Sequence, residues 1–528
     1  MVSTNMNGHP SAPPIRLAVI VLGFLLTPFA NATDQPAMTP IGSARGSVSP
    51  KVTTTGPLQL KVMDAILLGL EKNRSLRVER LEPAITRTFE NQENALFDPV
   101  LTGGISGQKF TAEEETSAGG GLKKVETKTV DGSAHLSRFF ATGATVSIDG
   151  TTRFSESSTD RGPLDETRAG VSITQSLLKG AGTAVNVANL RQARIDTLST
   201  EYQLRGFAEM LVARIENTYW DYTLSQRRIE IYQESLRLAE QQLAETRERI
   251  AVGKMAALDL SAAAAEVASR QADLINARGL LEKMRIQLVN LVNPGGTNAF
   301  KRDFLLLDQP RMPQAELDDV STHVAVAMRM RSDLNETRLG IERGDLDVVK
   351  TRNGLLPRLD LFITLGSSGY ADSFRRSSRN VNGDFYDAAA GLEFAFPIGN
   401  ADAKAQHLRA NLKRDQASEI LANMRQLAEV DVRSAYVEIG RAREEVAATA
   451  LLVKLREETV RSETEKFRVG RSTTLLVAQT HRELLISQIQ QIEAIVNYQK
   501  SIVSLYLSEG SLLERRGISA PGHGPVSN

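Results

Sequence analysis

The chain has 528 residues, with 63 Lys plus Arg balanced by 63 Asp plus Glu, so its formal net charge is zero, which argues against nucleic acid as a partner because such binding calls for a basic excess. It contains no cysteine, which excludes disulfides, thiol chemistry and acylation at a lipoprotein cysteine. Aromatic residues make up only 5%, low for a β-rich enzyme and ordinary for long alanine-rich helices.

The first element is an export signal. Arg16 precedes the apolar run Leu17 to Leu26, and Ala30-Asn31-Ala32 supplies small residues for cleavage. The run falls short of the roughly 20 apolar residues that cross a bilayer. Residues 1–32 are therefore expected to be a signal peptide. Residues 33–57, rich in Thr, Ser, Gly and Pro, read as a flexible linker, and 517–528 as a flexible tail. No other apolar stretch is long enough for a transmembrane helix, which leaves a β-barrel or a soluble periplasmic fate.

Between linker and tail the chain repeats itself, with a first copy expected at 58–305 and a second at 306–516. In the first, Leu76 precedes Pro99 by 23 residues; in the second, Leu334 precedes Pro357 by the same 23. Repetition at this scale points to a duplicated architecture. Each proline sits where a helix ends and an extended segment begins. After Pro357, Leu359, Leu361, Ile363 and Leu365 alternate with Asp360, Phe362, Thr364 and Gly366. Val171 and Ile173 alternate in the first copy, and Leu392, Phe394 and Phe396 in the second. Period-two patterns with small or polar intervening residues suit a barrel wall that is apolar outside and wet inside.

The extended regions differ in length. From Pro99 to Gly170 is 71 residues, but from Pro357 to Gly391 only 34. The surplus of 37 residues is enough for one additional β-hairpin, with strands expected at Val130 to Phe140 and Thr145 to Phe154. Two strands are expected from each copy otherwise, too few to close a barrel within one chain. The polar segments 111–128 and 371–384 read as the extracellular turns.

Long helices follow in both copies, each broken once. Ile215, Tyr222, Ile229, Leu236, Leu243 and Ile250 fall seven apart, as do Val432, Ile439, Val446, Val453, Val460 and Phe467. The returning arms carry Leu260, Val267, Leu274, Leu281 and Leu288, and Leu485, Ile489, Ile492, Val496 and Val503. A sustained seven-residue repeat marks left-handed coiled-coil packing. An arm from about residue 184 to 250 would be on the order of 100 Å long, and hairpins of that length bury both flanks only by assembling side by side into a tube. The reversals lie at Val252-Gly253-Lys254 and Val469-Gly470-Arg471, where glycine permits the positive φ of a helix C-terminus.

Catalytic chemistry is missing from the pattern. The histidines have no ligand spacing. Gly119-Gly120-Gly121 lacks the Gly-Lys-Ser/Thr ending of a phosphate loop. The runs Glu113-Glu114-Glu115 and Glu457-Glu458 read as solvated faces. No enzyme and no cofactor are expected.

With these elements in order, the chain resembles the TolC family of outer-membrane efflux and secretion channels over residues 58 to about 516. The resemblance rests on the duplicated Leu-to-Pro spacing, the paired Val-Gly turns, Phe396-Pro397-Ile398-Gly399, Asn293-Pro294-Gly295-Gly296, and Asn497-Tyr498 through Gly510-Ser511-Leu512-Leu513. It implies an α+β membrane protein in which duplicated antiparallel coiled-coil hairpins form a periplasmic tunnel and strands enter a shared trimeric outer-membrane β-barrel. It implies a passive homotrimeric duct of a tripartite efflux or type I secretion system, embedded in outer-membrane lipid. Its partners would be a periplasmic adaptor (membrane fusion) protein, docked at the tips Val252, Gly253, Lys254, Val469, Gly470 and Arg471, and an inner-membrane pump or ABC transporter.

Some members of that family carry two Asp residues six and nine positions after the inner turn glycine, as acidic rings at the closed end. Here Leu476 and Gln479 stand at those positions, and Asp259 lies six after Gly253 on the other hairpin. Asp259, Leu476 and Gln479 are the expected periplasmic gate, with Asp259 pairing with Arg471 or with Lys254 of a neighbouring chain. The extra hairpin is a second departure, since the family's usual contribution is four strands per chain. The competing expectation is a soluble periplasmic coiled-coil structural or adaptor protein.

Overall fold

The computed structural model describes residues 57–115, 122–158, 162–253, 257–293, 299–312, 317–382 and 385–519. The export signal, all of the linker but Pro57, the Gly119–Gly121 run, Lys254, Pro294 to Gly296 and the tail beyond 519 lie outside the described residues. In chain order the first copy holds β1 (Leu58–Leu60), α1 (Val62–Lys72), α2 (Arg74–Glu79), α3 (Glu82–Asn94), β2 (Val100–Glu115), β3 (Leu122–Phe139), β4 (Ala144–Ser157), β5 (Leu164–Ser176), α4 (Thr183–Asn186), α5 (Ala188–Ala251) and α6 (Leu258–Val292). The second holds β6 (Phe304–Leu306), α7 (Val320–Met330), α8 (Ser332–Gly354), β7 (Arg358–Ala371), α9 (Phe374–Arg379), β8 (Tyr386–Ala395), α10 (Ala401–Arg468), α11 (Thr474–Ser508) and α12 (Leu512–Arg515). Strands begin directly after Pro99 and Pro357, where the sequence placed them.

The chain forms two compact units, one containing Phe89–Ala193 and Gly344–Lys413, the other Arg194–Arg343 and Arg414 onward with the start of the first copy. The first unit is an antiparallel six-stranded sheet in the order β2-β3-β4-β5-β7-β8. The first copy supplies four of these strands, the additional hairpin included, and the second two. The additional hairpin, β3 and β4, neither projects away nor lies loose. Its strands are hydrogen-bonded into the centre of the sheet, with Leu136 opposite Ile148 and Val130 opposite Phe154. The expected turn at 111–128 is also shorter. Cross-strand pairing runs to Glu115 and Leu122, helped by the Lys109–Glu126 ion pair at 3.1 Å. The segment 371–384 is not a plain turn, because it contains α9.

Register assigns the two faces of this sheet. Leu101, Leu136, Ile148, Val171 and Leu365 stand in one row, and the next row, on the opposite face, holds His135, Asp149, Gly170, Gly366 and Asp387. The apolar face is the more open one: Leu101 is 73% exposed and Ile105 84%. The polar face is partly covered by its own network, in which Arg168 reaches Asp149 at 3.0 Å and Asp387 at 2.6 Å. A water-soluble sheet does the opposite, covering its apolar face.

The helical unit is organised around the parallel pair β1 and β6, which joins the start of the first copy to that of the second. Leu60, Ile66, Leu70 and Leu76 pack with Ile215, Tyr219 and Leu288 in one core. The Tyr219 hydroxyl donates to the Leu60 carbonyl at 3.0 Å and accepts from the Asp308 amide at 3.1 Å; burial pushes it up to about 12. A second core gathers Val432, Ile439 and Val446 of α10 with Ala494, Tyr498 and Leu505 of α11. The seven-residue seams are covered in part: Ile215, Tyr222, Leu274 and Leu288 are buried in the first hairpin, and Val432, Ile439, Val453 and Phe467 in the second, while Ile229, Leu236, Leu243 and Ile250 are half-buried. No helix among the described residues is long and apolar enough to cross a membrane.

Candidate functional site at the hairpin tips

The second tip is a complete Schellman reversal. Gly470 takes φ +74, its amide donates to the Phe467 carbonyl at 3.1 Å, and the Arg471 amide donates to the Lys466 carbonyl at 2.7 Å. These bonds satisfy carbonyls that the helix end leaves open. Thr473 then caps α11, its side chain accepting from the Leu476 amide at 3.3 Å. A strap closes the loop: the Ser472 hydroxyl donates to Glu463, which also pairs with Lys466 at 3.0 Å. The Ser472 hydrogen bond, followed by Lys466, holds the Glu463 carboxyl below its ordinary range.

At the first tip Gly253 takes φ +70, and its amide donates to the Ile250 carbonyl at 3.0 Å. Ala257, before α6, has helical φ −61 and ψ −23 and no side-chain cap. Beside each glycine stands an exposed valine, Val252 at 66% and Val469 at 69%.

Below the tips, Leu476 is 43% exposed while its neighbour Val477 is 2% exposed. Gln479 is exposed on the same side of α11. Within the chain, therefore, Leu476 is not seam core. Asp259 is half-buried in the first turn of α6, and it makes no ion pair with Arg471 among the described residues, so the expected pairing within one chain is not formed. No group of three or more His, Asp or Glu among the described residues could hold a metal ion.

Sequence reasoning missed the contacts that tie one hairpin to the other. Arg482 of α11 donates to Glu266 of α6 at 2.8 Å, and Glu266 also accepts from Arg270 at 2.9 Å. Burial pushes the Glu266 carboxyl up, but the two arginines outweigh it and leave it below its ordinary range. The Arg249 guanidinium lies over the Phe467 ring, 4.5 Å from its centre. Between the hairpins is a cavity of about 1150 Å³, with Glu266, Arg270, Thr474, Gln479, His481 and Arg482 on its walls. Burial lowers His481, against the opposing pull of Glu266. Only the Glu266–Arg270 pair, four residues apart on one helix, had a signal along the sequence.

Paired long hairpins joined to a sheet whose apolar face is open define the class of outer-membrane channels. The profile of the family described as "Outer membrane efflux protein" matches residues 140–294 and 325–511, and the chain belongs to that family. It is 20% identical over 331 residues to the Proteases secretion protein PrtF of Dickeya chrysanthemi, a match covering 62% of this chain and 70% of PrtF. A membrane protein from Pseudomonas aeruginosa superimposes with a TM-score of 0.64 at 19% identity, over 89% of this chain and 100% of that one. The CmeC outer membrane channel of Campylobacter jejuni gives 0.63 at 15% identity, over 85% and 86%. The protein is thus an outer-membrane channel of the efflux and secretion type, with a periplasmic helical extension. This sets aside the soluble adaptor expectation. Channels of this family are ducts that work with adaptor and pump partners.

Proposed function

We propose that three copies of this chain form one passive, non-catalytic duct, receiving its cargo from an inner-membrane pump or ABC transporter through a periplasmic adaptor. Two features support the shared barrel. The sheet has open edges at β2 and β8, each paired on one side only, and its exposed face is apolar. Three chains of six strands each, 18 in all, make a wall of the size that leaves an aqueous channel. The two structural copies are taken as 58–305 and 306–516, each ending its hairpin at a docking tip. PrtF is named for protease secretion, and polypeptide export is the reading for this chain that follows from that likeness.

Adaptor docking is assigned to Val252, Gly253, Lys254, Val469, Gly470 and Arg471. The observation that carries it is the pair of open valines, one beside each turn glycine, at reversals where apolar side chains have no covering element. Leu476 and Gln479 are assigned to the gate, facing their copies around the axis, with Asp259 pairing with Lys254 of a neighbouring chain. An apolar ring closes a pore by dewetting, and a glutamine ring by hydrogen bonding. Changing Val252 and Val469 together to Asp is expected to leave outer-membrane trimers intact and abolish export, scored by cargo in the medium and by mass in detergent. Undiminished export from intact trimers would remove the docking assignment.

A further inference from the structure

The hairpin between β7 and β8 carries a structure that duct function does not use. Helix α9, Phe374-Arg375-Arg376-Ser377-Ser378-Arg379, does not cap the end of the sheet but lies against one of its faces. A Cβ on Gly369 would stand 2.1 Å from the Ser377 carbonyl oxygen and 2.6 Å from the Val381 amide; only glycine allows that approach. Ser377 is fully buried, with its hydroxyl 2.7 Å from both Asp165 and Thr167. By register Gly369, Thr167 and Asp165 share the face that carries Leu101, Val171, Ile363 and Leu365. Helix α9 therefore rides on the outer, apolar face of the wall.

Its height follows from the strands. The apolar face of β7 runs from Leu359 to Leu365; beyond it Gly369 lies under α9 and Ser367 under the turn that follows α9, where it bonds the Val381 carbonyl. From Leu359 to Ser367 is about 27 Å along a strand at ~3.4 Å per residue. At the usual barrel tilt that is about 20 Å of height, close to the ~25 Å apolar band of such walls. Phe374 and Tyr386 are exposed at this level, where aromatic girdles sit. All chain connections to long helices leave from the opposite ends of the strands, so α9 is at the outer leaflet.

There it presents three exposed arginines. Arg376 is held by Asp372 at 2.7 Å, while Arg375 and Arg379 make no ion pair among the described residues. Arginine forks match phosphate oxygens in a bidentate way. From position, charge and continuity with the lipid-facing band, we propose that α9 is a docking site for the phosphorylated glycolipid headgroups of the outer leaflet, anchoring the barrel wall from outside. This rests on the outer-membrane barrel reading.

The test uses the full chain purified in non-ionic detergent, with bound lipid read by native mass spectrometry. Bis-phosphorylated lipid A is expected to be retained, dephosphorylated lipid A at least tenfold less, and inorganic phosphate at the same concentration not at all. The triple change R375S/R376S/R379S should lower lipid A retention at least tenfold, and the pair Arg375→Glu with Arg379→Glu should do so as well. Equal retention in both variants, or equal retention of the dephosphorylated lipid, overturns the site. Oligomer mass and bilayer conductance are read on the same preparations. If the site alone is wrong, both persist while retention ignores the arginines; if the barrel reading is wrong, the unsubstituted protein shows neither.

Discussion

At the second tip the chain is braced three times between Glu463 and Leu476, by the Schellman bonds around Gly470, the Thr473 cap and the Ser472–Glu463 strap. At the first, Gly253 adopts nearly the same φ, but the helix that follows starts from Ala257, which has helical geometry and no cap. The two reversals came from one repeat and share their exposed valine, so the turn itself does not distinguish them. What differs is how firmly the returning helix is held at its start. Among the described residues, a side-chain cap opens the returning helix at the second tip and none opens it at the first. The same register carries opposite chemistry: six residues past each glycine stand Asp259 on the first hairpin and Leu476 on the second.

That last contrast yields the largest expected effect. Leu476→Ser should raise resting conductance in planar bilayers several-fold, because it wets the apolar ring. Asp259→Ala should change it far less, since an exposed ion pair to a neighbouring copy contributes only about 0–1 kcal/mol. Conductance that ignores Leu476→Ser would end the apolar-gate assignment; a larger response to Asp259→Ala would move the gate to the first hairpin.

The bracing contrast is tested by hydrogen exchange. Thr473→Ala should cost about 1 kcal/mol of local stability, seen as roughly fivefold faster exchange in the first turn of α11. Ala257→Ser should gain nothing at α6, because a residue with helical φ and ψ is not positioned to cap. Slower exchange in that variant would show that the first tip is as well formed as the second.

A third contrast sets the tips against the base of the same hairpin. Glu209 of α5 is buried beside Arg205 at 3.3 Å, and burial, the largest influence, pushes its carboxyl up to about 8 from an ordinary 4.5. Between those values the folded state holds more protons than the unfolded one, so stability falls as pH rises through the window and is flat in this group below it. Heat-dissociation temperature should therefore drop from pH 5 to pH 8, and Glu209→Gln should flatten part of that slope. An identical slope in the variant would mean that the carboxyl is charged throughout.

Much of this was legible in advance. The seven-residue seams named many of the buried residues of both hairpins, among them Ile215, Leu288, Val432 and Val503, because a helix that packs along one stripe must repeat its apolar residues; others, such as Leu236 and Leu243, are only half-buried. Pro99 and Pro357 marked strand starts because proline disfavours helix before it. The surplus of 37 residues announced the hairpin of β3 and β4, but its place in the sheet was not readable: alternation tells which residues share a face and is silent on which strand lies beside it. Within one chain Asp259 makes no ion pair with Arg471 among the described residues, for a related reason. Proximity along a hairpin tip does not set the direction in which a long side chain leaves its helix.

By itself the sequence determined what is local and periodic: the duplicated order of elements, much of the seams, the glycine reversals and the alternating faces of the strands. Tertiary structure alone decided the six-strand order, the bridge from Arg482 to Glu266, the stacking of Arg249 on Phe467 and the seating of α9 on the outer wall. The physical reason is common to all four. Each joins separate elements, in the Arg482–Glu266 bridge 216 positions apart along the chain, and such contacts form only once those elements have packed, with no period in the sequence to announce them.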